Sequence, residues 1–124
     1  DHCTHAKLLK ALLDEVGSEH LFGMCDVVVP FVQGEDATDY ARLLGGRMAH
    51  LHLADSDGMS DTHLIPGEGR MDFPTLLRSL QACGYDGRAT LELVTHYIDT
   101  PSEAAREALE RIRRMSYENC LCGR

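Results

Sequence analysis

Three side chains far apart in this sequence have the chemistry to hold a divalent cation together. Asp26 ends one apolar run, His52 lies in a second, and Glu92 lies in a third. A carboxylate, an imidazole and a second carboxylate form a hard-to-borderline donor set, suited to ions that take oxygen and nitrogen ligands. Each residue alone has a plainer explanation. An aspartate at a strand end commonly caps the next turn, and a histidine in an alternating strand is usually packed or exposed. Glu92 is harder to set aside, because an apolar "TLELV" rarely takes in a carboxylate without a partner. The densest stretch is "MAHLHLADSDGMSDTHLIPGEG", residues 48–69, which starts as an alternating strand and then carries Asp55, Asp57, Asp61 and His63. His50 is expected on the opposite strand face from His52, as a packed histidine. The glycines of residues 66–69 either bring backbone close to a ligand or make a tight turn.

The elements that must position these groups alternate along the chain. "THAKLLKALLDEVG" puts Leu8, Leu9, Leu12, Leu13 and Val16 on one helical face, with Thr4 as cap and Gly17 as stop. "HLFGMCDVVVPF" reads as a strand over residues 21–28, ended by Pro30. "GEDATDYARLLGG" is a short helix with Tyr40, Leu43 and Leu44 inward, and "RMAHLHLAD" is the second strand. "MDFPTLLRSLQACGYDG" is a helix capped by Asp72, with Pro74 in its first turn and Gly84 just past its end. "RATLELV" is the third strand. "TPSEAAREALERIRRM" opens on a capping box from Thr100 to Glu103, and Ala105, Ala108, Leu109, Ile112 and Met115 then recur at helical spacing. Residues 116–124 show no clear period and are expected as a frayed tail.

Such alternation calls for a parallel α/β sheet. Three strands leave both sheet edges open, so 124 residues read as the last part of something larger. In parallel sheets the C-terminal strand ends meet on one face, where sites are built. That places Asp26, His52 and Glu92 together as a metal site. A net charge of −8 opposes a nucleic-acid partner. No apolar run approaches the roughly 20 residues of a membrane span, and no signal peptide opens the chain. The five cysteines include no CxxC pair, which points to free thiols in a reducing cytoplasm.

"CDVV", "HLHLADSDG", "DTHLIPGEG", "GYDG" and "LELV" together resemble the last three strands of the xylose isomerase-like sugar isomerase/epimerase barrels. The resemblance is nearest to their fructoselysine 3-epimerase branch. It runs from the first helix through "ALERIR" and leaves out only the cysteine-containing tail. It implies the C-terminal part, about three βα units, of a (β/α)8 TIM barrel, with residues 1–124 as the C-terminal portion of a single domain. It also implies a divalent ion (Mn2+, Co2+ or Ni2+) held by Asp26, His52 and Glu92, with a further glutamate from a strand before Thr4 that this chain starts too late to contain. Glu92 would double as one of two catalytic bases, and His63 would contact substrate. Val29 stands where the wider superfamily commonly has a histidine, an exchange associated with the fructoselysine branch.

The implied reaction is metal-dependent epimerisation at C3, interconverting fructoselysine and psicoselysine through an enediolate. The residue types suit it, since removing and returning a weakly acidic proton needs two carboxylates and a Lewis acid. A tagatose/psicose-type epimerase, another sugar isomerase, or an inactive truncated barrel are the alternatives. The implied partner is a small-molecule sugar or ketosamine, bound by a cytoplasmic homo-oligomer with no nucleic-acid or membrane role. Asp61-Thr62-His63 has a rival reading, because a D-x-H pair holds a further zinc in the related apurinic-site endonucleases. The acidic charge, Val29 and the epimerase-like flanks oppose it.

Overall fold

The computed structural model describes residues 5–121, with side chains described as far as Ser116 apart from Thr95. Strands β1 (Gly23–Asp26), β2 (Met48–Leu53) and β3 (Arg88–Leu91) form one parallel sheet in the order β1-β2-β3. The register sets Asp26 beside His52 and His52 beside Thr90. One layer down, Met24 pairs with His50 and His50 with Arg88. Helices α1 (Ala6–Val16), α2 (Val28–Val32), α3 (Thr38–Leu44), α4 (Phe73–Ala82) and α5 (Pro101–Leu121) complete the alternation. α1 packs on α3, α3 on α4 and α4 on α5. Leu13, Cys25, Val27, Tyr40, Leu51 and Phe73 are buried in the core shared by the sheet and helices. This is the parallel α/β arrangement that the alternation predicts.

The first strand is shorter than residues 21–28, for a local reason. Asp26 Oδ1 accepts the Val28 N–H at 3.0 Å and turns the chain into α2. Pro30 falls inside the first turn of α2, where the missing N–H leaves no intrahelical bond unmade. β3 ends at Leu91, yet the Glu92 N–H still donates to the Leu53 carbonyl at 3.0 Å. The ladder therefore carries Glu92 one residue past the strand.

The predicted caps of α4 are present, whereas α1 has His5 at its N-cap with no side-chain cap bond and Thr4 lies outside the described residues. Asp72 accepts the Thr75 N–H at 3.1 Å, and Gly84 follows α4 at φ 75°. In α3, Tyr40 and Leu44 are buried as expected, but Ala41 is buried in place of Leu43. α1 buries Ala6 and Leu13 and packs Leu9 on the core, while Leu8, Leu12 and Val16 stay exposed. Its apolar stripe is wider than the surface these three strands offer. α5 runs to Leu121, through part of the segment expected as a tail. Its i to i−4 hydrogen bonds are local and continue without an apolar period. Residues 122–124 lie outside the described residues.

Cys25 and Cys83 are free thiols, and burial pushes the Cys25 thiol up to about 12, with the neighbouring Asp26 carboxylate adding to the effect. The side chains of Cys3, Cys120 and Cys122 lie outside those described. Among the described residues, no helix is long and apolar enough to cross a membrane.

Candidate active site

Strand parity and register bring the three sequence-predicted donors to one face. The donor atoms of Asp26, His52 and Glu92 all lie within 4.8 Å of one another. His52 Nδ1 is 2.7 Å from Glu92 Oε2. The two sides of an ion with bonds of roughly 2.0–2.4 Å are about 4–4.8 Å apart, so this donor set fits around a single cation. The three side chains are partly exposed, at 17%, 28% and 38%, which leaves the cluster open to a ligand.

His63 enters the cluster from the loop after β2. Its Nε2 is 2.9 Å from Asp26 Oδ2 and 3.3 Å from Glu92 Oε2, and its Nδ1 is 3.0 Å from Asp61 Oδ1. The side chain is nearly enclosed. Burial works against charge on this imidazole, but the Asp26 carboxylate outweighs it with help from Asp61 and Glu92, and the pKa is raised above the ordinary histidine value. Asp26, Asp61 and His63 form a second group within 4.8 Å, with Asp61 largely in solvent. Asp26 serves two ends at once: Oδ1 starts α2 while Oδ2 faces His63.

His50 corrects an expectation. It shares a face with His52, because residues two apart in a strand point the same way. The two rings meet edge to face at 5.5 Å, and His50 Nε2 is 2.9 Å from Thr90 Oγ1. His50 therefore forms a polar layer beneath the cluster.

The sequence reading left Asp55 without a role. Its side chain is fully buried, and its two oxygens accept four backbone N–H groups, from Ser56 at 2.8 Å, Gly67 at 2.8 Å, Gly69 at 3.0 Å and Met71 at 3.0 Å. The glycines of residues 66–69 thus close on a carboxylate of the chain itself. A Cβ at Gly69 would stand 2.3 Å from Asp55 Oδ1, which only glycine avoids. The only sequence signal was an acidic residue followed by a Pro-Gly-x-Gly turn. An open apolar groove of about 650 Å3 lies elsewhere, beside β3, lined by Leu91, Leu93, Val94, Tyr97 and Ile98 among others. None of Asp26, His52, His63 or Glu92 lines it.

Residues 1–115 match the family described as "Xylose isomerase-like TIM barrel". The chain belongs to that family. It is 48% identical over 104 residues to a fructoselysine 3-epimerase of Shigella flexneri, covering 84% of this chain and 38% of that protein. It is 26% identical over 119 residues to a D-psicose 3-epimerase of Enterocloster bolteae, covering 87% of this chain and 38% of that protein. A xylose isomerase domain protein from Alicyclobacillus acidocaldarius superposes with a TM-score of 0.72 at 27% identity, over 90% of this chain and 42% of that one. The chain thus spans well under half the length of these relatives. Its three strands and outer helices are the C-terminal part of a xylose isomerase-like TIM barrel, as the motifs predict.

Proposed function

We propose that this chain supplies the C-terminal side of the active site of a divalent-metal-dependent ketose 3-epimerase, acting on fructoselysine and its C3 epimer psicoselysine. The observation that carries this reading is the meeting of Asp26, His52 and Glu92 within 4.8 Å at the strand ends. The 48% identity to a fructoselysine 3-epimerase supports the substrate. So does Val29, which stands three residues after Asp26 in α2.

Asp26, His52 and Glu92 would hold the ion, of the Mn2+, Co2+ or Ni2+ kind. When bound, it supplies Lewis-acid stabilisation to the oxygens flanking the reacting carbon. The chain's own residues supply one base and a contact to substrate. Glu92 takes the C3 proton on a carboxylate oxygen, leaving the carbon's electron pair delocalised as an enediolate. A second base, from a strand outside this chain, returns a proton to the opposite face. Glu92 is held for this by its N–H bond to Leu53 and by His52 Nδ1 at 2.7 Å. His63, already in the cluster, contacts the sugar hydroxyls. Free thiols at Cys25 and Cys83 fit a reducing cytoplasm.

The test uses the complete barrel, stripped with chelator and reloaded with Mn2+, Co2+ or Ni2+, against fructoselysine, tagatose, psicose and abasic-site DNA. Metal-dependent formation of psicoselysine, separated by chromatography, is expected. Preference for tagatose or psicose would shift the substrate while keeping the reaction. Cleavage of abasic DNA, or no epimerisation of any ketose by folded, metal-loaded protein, would overturn the proposal.

A further inference from the structure

We infer that Asp55 is the positioning residue for His63. The inference rests on the proposed function only for what His63 then does. A fully buried carboxylate is tolerated when hydrogen bonds fill its lone pairs, and four backbone N–H groups do so here. These donors belong to residues at both ends of the loop after β2, so one side chain ties the start of that loop to its close. Asp55 also pairs through its backbone with Leu64, the residue after His63, in both directions at 2.7 Å. His63 itself has φ 46°, the one non-glycine residue with positive φ among those described. Such a conformation is strained and persists only where the surroundings hold it. The holding groups are the Asp55–Leu64 pair on the far side of His63 and the Asp55 carboxylate, which binds Gly67, Gly69 and Met71 behind it.

A second tie runs to the helix side. The Tyr97 hydroxyl donates to Glu68 Oε2 at 2.6 Å and accepts the Ile65 N–H at 2.9 Å. The loop is therefore pinned on both flanks, and the free end of its rigid frame is the imidazole between Asp26 and Glu92. Among the described residues no hydrogen bond joins Asp55 to either of those carboxylates. It acts through backbone.

The experiment is Asp55→Asn in the complete barrel, which keeps side-chain shape but replaces one acceptor oxygen with an amide donor. Circular dichroism and melting establish the folded range. Within it, ring 15N resonances of labelled histidine are read without metal or substrate, with His63→Gln for assignment. The His63 resonance is expected to move or broaden while those of His50 and His52 hold. With metal and substrate, kcat is expected to fall about 10–100-fold with KM within about threefold. An unchanged His63 resonance in folded Asp55→Asn would overturn the inference, because a merely structural aspartate would lower the melting temperature alone. If that variant does not fold, hydrogen exchange on the unaltered protein decides. Amides of Ser56, Leu64, Gly67, Gly69 and Met71 should open in one cooperative step, and independent opening would overturn the inference. A shifted His63 resonance in a barrel with no epimerase activity would sink the proposed function and leave Asp55's role standing.

Discussion

His63 Nε2 lies 2.9 Å from Asp26 Oδ2 across a sequence separation of 37 residues, and the same nitrogen is 3.3 Å from Glu92 Oε2. One imidazole therefore touches the carboxylates at the ends of the first and third strands. Its raised pKa is the electrostatic trace of that placement. The contact puts His63 within reach of both the donor set and whatever the donor set holds.

Replacing His63 separates its two readings. His63→Ala in the complete barrel is expected to lower turnover about 100-fold, the scale on which a lost substrate-positioning contact acts. Elemental analysis of the metal-loaded variant should show nearly unchanged metal content. Loss of the stoichiometric ion would instead favour Asp26, Asp61 and His63 as the metal group.

The donor set makes a separate prediction for metal binding. Isothermal titration of the chelator-stripped barrel with Co2+ should show one equivalent bound. Asp26→Ala, His52→Ala and Glu92→Ala should each weaken binding by at least about tenfold, since even outer partners of metal ligands typically cost that much. Equal binding by all three variants would remove these residues from the site.

Gly69 is expected to tolerate no side chain. The Cβ of Gly69→Ala would stand 2.3 Å from both Asp55 Oδ1 and the Ser56 carbonyl oxygen, so the loop or the buried carboxylate must shift. Overpacking of this kind costs about 1–3 kcal/mol, readable as a lowered urea midpoint. An unchanged midpoint would mean the loop is looser than its hydrogen bonds indicate.

Asp72 gives a pH-dependent prediction. The Thr75 hydroxyl, and next the Thr75 N–H, hold its carboxyl below the usual aspartate value. A lowered folded-state pKa means the stabilisation is present above the unfolded value and is lost as pH falls through the folded one. Asp72→Ala should therefore cost about 1 kcal/mol at neutral pH, as for other N-caps. In melting experiments the gap from the unaltered chain should close on acidification. A gap that persists in acid would assign the effect to something other than the charged cap.

The strands and the donor triad were legible because they rest on two simple periodicities. Apolar runs alternate with helical patterns, and parallel strands bring Asp26, His52 and Glu92 to one end. What was not legible depends on contacts between distant segments. Asp55 looks like one more acid in a polar loop until the fold brings the N–H groups of Gly67, Gly69 and Met71 around it. The early end of β1 follows from Asp26 binding the Val28 N–H, a side-chain choice that strand propensity does not register. The apolar stripe of α1 predicts burial that three strands do not provide for Leu8, Leu12 and Val16. His50 was readable: two positions from His52, it had to share its face.

The most direct test of the account is proton exchange at the reacting carbon. The complete barrel, loaded with Co2+, is incubated with fructoselysine in D2O, and the recovered sugars are examined by mass spectrometry and NMR. If Glu92 takes the C3 proton and a second base returns one from a solvent-exchanged pool, psicoselysine should carry one deuterium, at C3. Glu92→Gln should lower that incorporation about 10²–10⁴-fold, the usual worth of a catalytic base. Psicoselysine formed without deuterium, or unlabelled fructoselysine recovered from folded, metal-loaded protein with no product, would contradict it.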